Sequence, residues 1–137
     1  MAILSMNKIP CVIKTITNSG GVSFVCMEFG AHRLFAMLLG GARDTTQAMG
    51  ASVAALFKES EVMVCDKDYT KISARNRFVS EVLRVESSEV LARVVFAFEG
   101  LEISALISAQ AYQELGIEVG KVFGWFVKSS EVMLEYA

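Results

Sequence analysis

Apolar residues along the second half of the chain gather into short runs, cut by polar or glycine-bearing turns. Residues 79–85 (VSEVLRV) and 90–98 (VLARVVFAF) are rich in strand formers and are separated by the polar ESSE. Glu99-Gly100 makes a tight turn into LEISALI (101–107), which predicts a meander of three strands. Ser108 then stands before AQAYQEL, and Gly116 stands after it. A serine N-cap and a glycine past the C-terminus frame a helix of about two turns. Gly120 turns the chain into KVFGWFVK, and SSE turns it again into VMLEY. Strand, strand, strand, short helix, strand, strand is the order of a five-stranded Greek-key barrel of the OB type.

The first half reads alike, as GGVSFVCMEF, HRLFAMLL, a helix after Asp44, then VAALFK and EVMV. FKESEVMV (57–64) returns as VKSSEVML (127–134). Lys58 and Lys128 are 70 residues apart, as are Gly50 and Gly120, whereas Asn7 and Asn76, like Ala36 and Ala105, are 69 apart. The matches run in order, with one residue of slippage inside the unit, and mark an internal duplication. The expected fold is mainly β: two tandem five-stranded OB-like barrels, each with one short helix. Residues 1–66 form the first and 67–137 the second, joined near CDKDYTK (65–71).

Composition narrows the function. Of the 137 residues, 53% are hydrophobic, which supplies a core. The mean hydropathy of +0.46 also suggests that some apolar surface goes into subunit contacts. There is no run of about 18 apolar residues to span a membrane and no signal-peptide pattern at the start. The three cysteines, Cys11, Cys26 and Cys65, are odd in number and lack CxxC spacing, which favours the cytoplasm over a disulfide scaffold. The net charge of −2 and scattered Lys and Arg count against a nucleic-acid binder. No Ser/His/Asp set, metal-ligand cluster or phosphate loop appears, so no enzyme is expected. His32 reads as a surface or packing residue. Trp125 reads as core or interface, and the seven Met residues as apolar filling.

Two turns carry candidate chemistry. SARNR (73–77) and KSS (128–130) combine fixed cations, Arg75 and Lys128, with the hydroxyls of Ser73, Ser129 and Ser130 and the amide of Asn76. Donors, cations and turn amides together suit an oxyanion. A fully deprotonated tetrahedral dianion offers only acceptors, so its cage should hold only donors. The same residue types are also common in β-turns for local backbone reasons alone.

SARN opening the unit, LEISALIS leading into a short helix, and LGIEVGKVFGWFVKSSEVML closing it resemble the molybdate-binding Mop or TOBE domain. The resemblance is close over residues 71–135 and looser over 3–65, so the whole chain is similar to tandem-Mop molybdenum-binding proteins. It is also similar to the effector half of molybdate-responsive regulators. The resemblance implies an anion site made of Ser73, Arg75, Ser108, Lys128 and Ser129, with backbone amides at Ala74 and Ser130 and with Asn76 beside them. It implies sites at barrel or subunit interfaces of a homo-oligomer, and molybdate or tungstate as ligand. Storage or buffering of the anion is the function expected. A sensor acting through a protein partner is the alternative.

The first copy departs from this pattern. SARN is replaced by LSMN, Leu39 stands for Ser108, and Glu59 stands for Ser129. A carboxylate opposes a dianion. The first copy is therefore expected to have lost a complete site, leaving one anion per chain rather than two. Asn7, Lys8, Lys58 and Ser60 remain as donors that could complete a site with another barrel.

Overall fold

A computed structural model describes residues 5–40 and 49–136. The chain is mainly β, with strands β1 (Met6–Ser19), β2 (Val22–Phe29), β3 (His32–Leu39), β4 (Ser52–Lys58) and β5 (Met63–Cys65) in the first repeat. The second repeat contributes β6 (Asn76–Ser87), β7 (Leu91–Phe98), β8 (Leu101–Ser108), β9 (Val122–Val127) and β10 (Met133–Tyr136). A helix at Ala109–Leu115 follows β8, and short 3-10 turns at Glu59–Glu61 and Ser129–Glu131 follow β4 and β9. The helix expected after Asp44 lies outside the described residues.

Local chemistry fixes the second repeat as anticipated. The Ser108 hydroxyl accepts from the Ala111 amide at 3.0 Å and caps the helix, while Gly116 at φ 65° ends it in the left-handed conformation. Glu99 and Gly100 have φ 48° and 83°, the pair of positive values that a two-residue hairpin turn requires.

Two five-stranded antiparallel sheets result, in the orders β10-β4-β1-β2-β3 and β5-β9-β6-β7-β8. Each sheet takes four strands from one repeat and its fifth from the other. Met133 pairs with Leu56, and Met63 with Phe126. The first strand of each repeat is long because it serves two neighbours. β1 pairs with β4 through Val12, then with β2, and β6 pairs with β9 through Glu81, then with β7. The pairing register shifts between Ile13 and Thr15, and between Val82 and Arg84. These are equivalent positions of the repeat. One extra residue there bends the strand from one partner toward the next.

The two repeats share one continuous core. Trp125 is fully buried at the junction, 4.8 Å from the Phe78 ring, 5.4 Å from Phe98 and 6.2 Å from Phe57 of the other repeat (centroid distances). Its indole N–H donates to the Ser80 hydroxyl at 3.0 Å, so the ring is buried without an orphaned donor. His32 is half-buried, packs on Phe98, and places Nε2 3.2 Å from the Glu99 carboxylate. No helix among the described residues is long and apolar enough to cross a membrane.

Candidate functional site

Strand register brings the two candidate turns together. Asn76 at the start of β6 pairs with Val127 at the end of β9. The SARN loop therefore lies beside Lys128 and Ser129. Ser73, Arg75, Lys128 and Ser130 are exposed and Ser129 is half-buried, while Ala74 and Asn76 are buried. The Arg75 guanidinium curls over its own loop, donating to the Ile72 carbonyl at 2.7 Å and the Ser73 carbonyl at 3.4 Å. The 3-10 turn after Lys128 is closed by the Glu131 amide donating to the Lys128 carbonyl at 3.0 Å. The result is a rim of exposed hydroxyls and two cations at one end of the second sheet.

Asn76 has a different task from the one its residue type suggested. Its Nδ2 donates to the Phe35 carbonyl at 2.8 Å, and its Oδ1 accepts from the Phe35 amide at 2.7 Å. Asn7 does the same to Ser104, at 2.9 and 2.8 Å. Asn7 and Asn76 are equivalent, as are Phe35 and Ser104. Each repeat thus clamps the third strand of the other with one buried amide. The clamps set where the closing turns rest: Ser129–Glu131 packs on β3, and Glu59–Glu61 packs on β8.

Ser108 stands apart from this rim within one chain. It ends β8, the edge strand, opposite Leu91, while Ala92 of β7 lies opposite Ser87 at the far end of β6 from Asn76. On β3, the strand that the KSS turn touches, Leu39 holds the equivalent position and is 82% exposed.

The first-copy donors are also distributed. Lys8 pairs with Glu135 of the exchanged strand β10 at 3.0 Å. Lys58 lines a cleft of about 210 Å³ with Glu61, Ser130, Glu131 and Met133, where the two closing turns meet. Ser60 is exposed. Glu59, in contrast, is fully buried. Its carboxylate accepts from Arg93 Nε at 2.7 Å, from Arg93 Nη2 at 2.8 Å and from the Ser5 amide. Arg93, itself buried, also reaches Glu86 at 3.0 Å. Burial alone would push the Glu59 carboxyl up. The Arg93 guanidinium, the Ser5 amide and the Ser104 hydroxyl outweigh it and hold the pKa below the ordinary carboxylate value. Donating these hydrogen bonds to Glu59 raises Arg93 further above its usual value.

Sequence reasoning missed Arg93, Ser5 and Ser104. One signal was available: Arg93 is the lone charged residue in VLARVVFAF, and a charge in a buried strand needs a partner. Among the described residues no group of three or more His, Cys, Asp or Glu could hold a metal ion.

With this geometry in view, the comparisons with known proteins are informative. Residues 72–134 match the TOBE domain model. The chain is 30% identical over 119 residues to the molybdenum transport protein ModE of Azotobacter vinelandii, covering 84% of this chain and 44% of that protein. It is 36% identical over 64 residues to molybdenum-pterin-binding protein 2 of Clostridium pasteurianum, covering 46% of this chain and 94% of that one. Its fold is similar to that of the cytoplasmic molybdate-binding protein ModG, solved with molybdate bound. The TM-score is 0.88 at 27% identity, over 96% of both chains. This chain belongs to the Mop/TOBE family of molybdate-binding proteins.

Proposed function

We propose that the chain binds molybdate at the rim formed by Ser73, Arg75, Lys128 and Ser129, with the amides of Ala74 and Ser130 as further donors, and that it serves as a cytoplasmic store or buffer without catalysis. The observation that carries this reading is the Asn76–Val127 register, which sets the SARN loop against the KSS turn. The side chains of Ser73, Arg75, Lys128 and Ser129 are each a hydroxyl donor or a cation. Such a rim suits a dianion with acceptors alone, and disfavours a phosphate whose proton needs an acceptor. The similarity to ModG, described as cytoplasmic and molybdate-binding, supports both the ligand and the compartment.

Ser108 enters this reading from a second copy of the chain. It stands away from the rim of its own chain, and the equivalent position on β3, the strand that the KSS turn packs against, is Leu39. A homo-oligomer in which β8 of one chain meets the rim of the next would supply the missing hydroxyl. Within each chain we read the two curled sheets as OB-type barrels with exchanged closing strands.

Calorimetric titration tests the reading. The wild type should bind molybdate, and tungstate of like shape and charge, far more tightly than sulfate or phosphate. Arg75→Ala and Lys128→Ala should each lose at least a factor of ten, the scale of one charge-assisted contact (about 1.5–3 kcal/mol). Wild type that binds none of these anions would sink the proposal. A second reading is a sensor that signals through a partner: 84% of this chain aligns with 44% of ModE, so the same repeat pair occurs within a longer protein. Sedimentation with and without molybdate separates the two. A store keeps its assembly, whereas a sensor changes it.

A further inference from the structure

The rim just described has a counterpart in the first repeat, where an anionic side chain is already in place. Glu59 stands at the position of Ser129 one repeat earlier, and Ser5 at the position of Ala74. The Ser5 amide donates to the Glu59 carboxylate. It is the equivalent of the Ala74 amide, which the proposed site turns toward molybdate.

We propose that the Glu59 carboxylate is a built-in anion filling the first repeat's copy of the oxyanion position, and that removing it uncovers a second tetrahedral-oxyanion site formed by Arg93, the Ser5 amide and the Ser104 hydroxyl. This rests on the reading above for where an oxyanion sits against the second repeat, but not for the Arg93 and Ser5 donors, which the carboxylate already engages.

Three observations converge. Among the described residues, the groups hydrogen-bonded to the carboxylate are all donors: two guanidinium nitrogens of Arg93 and the Ser5 amide. That is the cage chemistry of an oxyanion, built here around a side chain. The cation is particular to this copy. Arg93 corresponds by position to Phe24, which stacks on Phe35 at 5.5 Å beside the other turn. A buried arginine therefore accompanies the buried glutamate, and a phenylalanine accompanies the serine. Finally, a cleft of about 190 Å³ opens beside the pair, lined by Ser5, Asn7, Arg84, Arg93, Glu102 and Ser104. Arg84 is held there by Glu102 at 2.8 and 2.9 Å. Shortening Glu59 to serine would extend this cleft to the Arg93 donors. Residue 59 thus sets how many anions one chain can take, and the filled copy is a fixed joint between the repeats.

The test titrates the full chain with molybdate, and in parallel with sulfate, following heat and melting temperature. Glu59→Ser should melt lower than wild type without anion, recover on addition of anion, and take up one more anion per chain. Glu59→Ser/Arg93→Phe copies the Ser129–Phe24 arrangement. It should fold without anion and return to the wild-type stoichiometry. If Glu59→Ser alone does not fold, refolding in molybdate or sulfate becomes the readout, and rescue by the anion is expected. Wild-type stoichiometry with no anion-dependent gain in melting temperature would overturn the inference, as would failed rescue alongside a folded double variant. Loss of the reading above shows differently, as wild type and double variant that both bind no molybdate, whatever Glu59→Ser does.

Discussion

Lys58-Glu59-Ser60 closes β4, Lys128-Ser129-Ser130 closes β9, and the two turns meet along one cleft. Both turns are short 3-10 segments, both follow a strand paired with the first strand of the repeat, and both rest on the third strand of the opposite repeat. Their difference is one side chain. The serine leaves a half-buried hydroxyl on an exposed rim. The glutamate turns inward to a buried arginine. On the proposed reading, one turn can specialise in holding the halves together after duplication because the other keeps the ligand chemistry. A binding rim must stay solvated and under-satisfied until its ligand arrives, whereas a joint must be fully satisfied without one.

The heaviest loss of stability is expected at the joint. Arg93→Ala leaves the Glu59 carboxylate buried without its guanidinium, and Glu59→Ala takes from Arg93 its buried carboxylate partner. Breaking a buried pair from one side costs about 3–5 kcal/mol. Ser129→Ala should cost under about 1 kcal/mol, as exposed and half-exposed positions usually do. Urea denaturation of the three variants checks both numbers. Equal losses at Glu59 and Ser129 would mean that both turns are joints.

Each repeat anchors the other's third strand through the same buried amide. Asn7→Ala and Asn76→Ala each remove two hydrogen bonds to a strand backbone and leave an amide and a carbonyl without their partner. Each should lose about 1–3 kcal/mol, since stranded buried groups cost their desolvation. The losses should be similar in the two repeats. A loss at Asn76 confined to anion affinity, with stability intact, would return that residue to the ligand set.

A smaller effect appears in acid. The Glu59 pKa is depressed in the folded chain, so its contribution is full above the unfolded carboxylate pKa and is lost as pH falls through the folded value. Wild type should therefore lose stability more steeply with acid than Glu59→Gln, which carries no titrating group there. Urea midpoints from neutral pH down to about pH 3 show this as converging curves. Parallel curves would mean that the pair's ionisation contributes nothing to the joint.

Much of the fold was legible, and the reasons are physical. The second repeat announces its turns through Glu99-Gly100, Ser108 and Gly116, each of which acts in the structure as its chemistry implies. The strand exchange was not legible. Met63–Cys65 and Met133–Tyr136 both follow SEV, carry similar side chains, and face sheet edges that are themselves repeats. Nothing local says which edge either strand joins. The SARN and KSS turns were found because their donors are contiguous in sequence. Asn76 was grouped with them because an amide reads as a donor, and only three-dimensional pairing with Phe35 reveals its clamp. The Glu59–Arg93 joint spans 34 residues of chain. A lone glutamate in a turn and a lone arginine in a strand do not announce each other.

The smallest effect lies inside the core, where the repeats diverged again. Ser80, in the second repeat, accepts the Trp125 indole N–H. The equivalent position in the first is Cys11, with Ala55 in the place of the tryptophan. The thiol is buried with its sulfur 3.4 Å from the Ile9 carbonyl, and burial raises its pKa from 9.0 to about 11, although the Ala55 backbone pulls the other way. The unfolded chain would release this proton at lower pH than the folded one. The contribution to stability is therefore full below about pH 9 and is lost as pH rises through about 11. Cys11→Ala removes the titration and should flatten the alkaline limb relative to wild type, measured as urea midpoints between about pH 8 and 10.5. At the lower pH, the half-buried Cys26 and Cys65 should react with a thiol reagent before Cys11 does. Identical alkaline limbs would assign the loss to other groups. Cys11 would then be apolar filling in the space that the second repeat uses to seat a tryptophan.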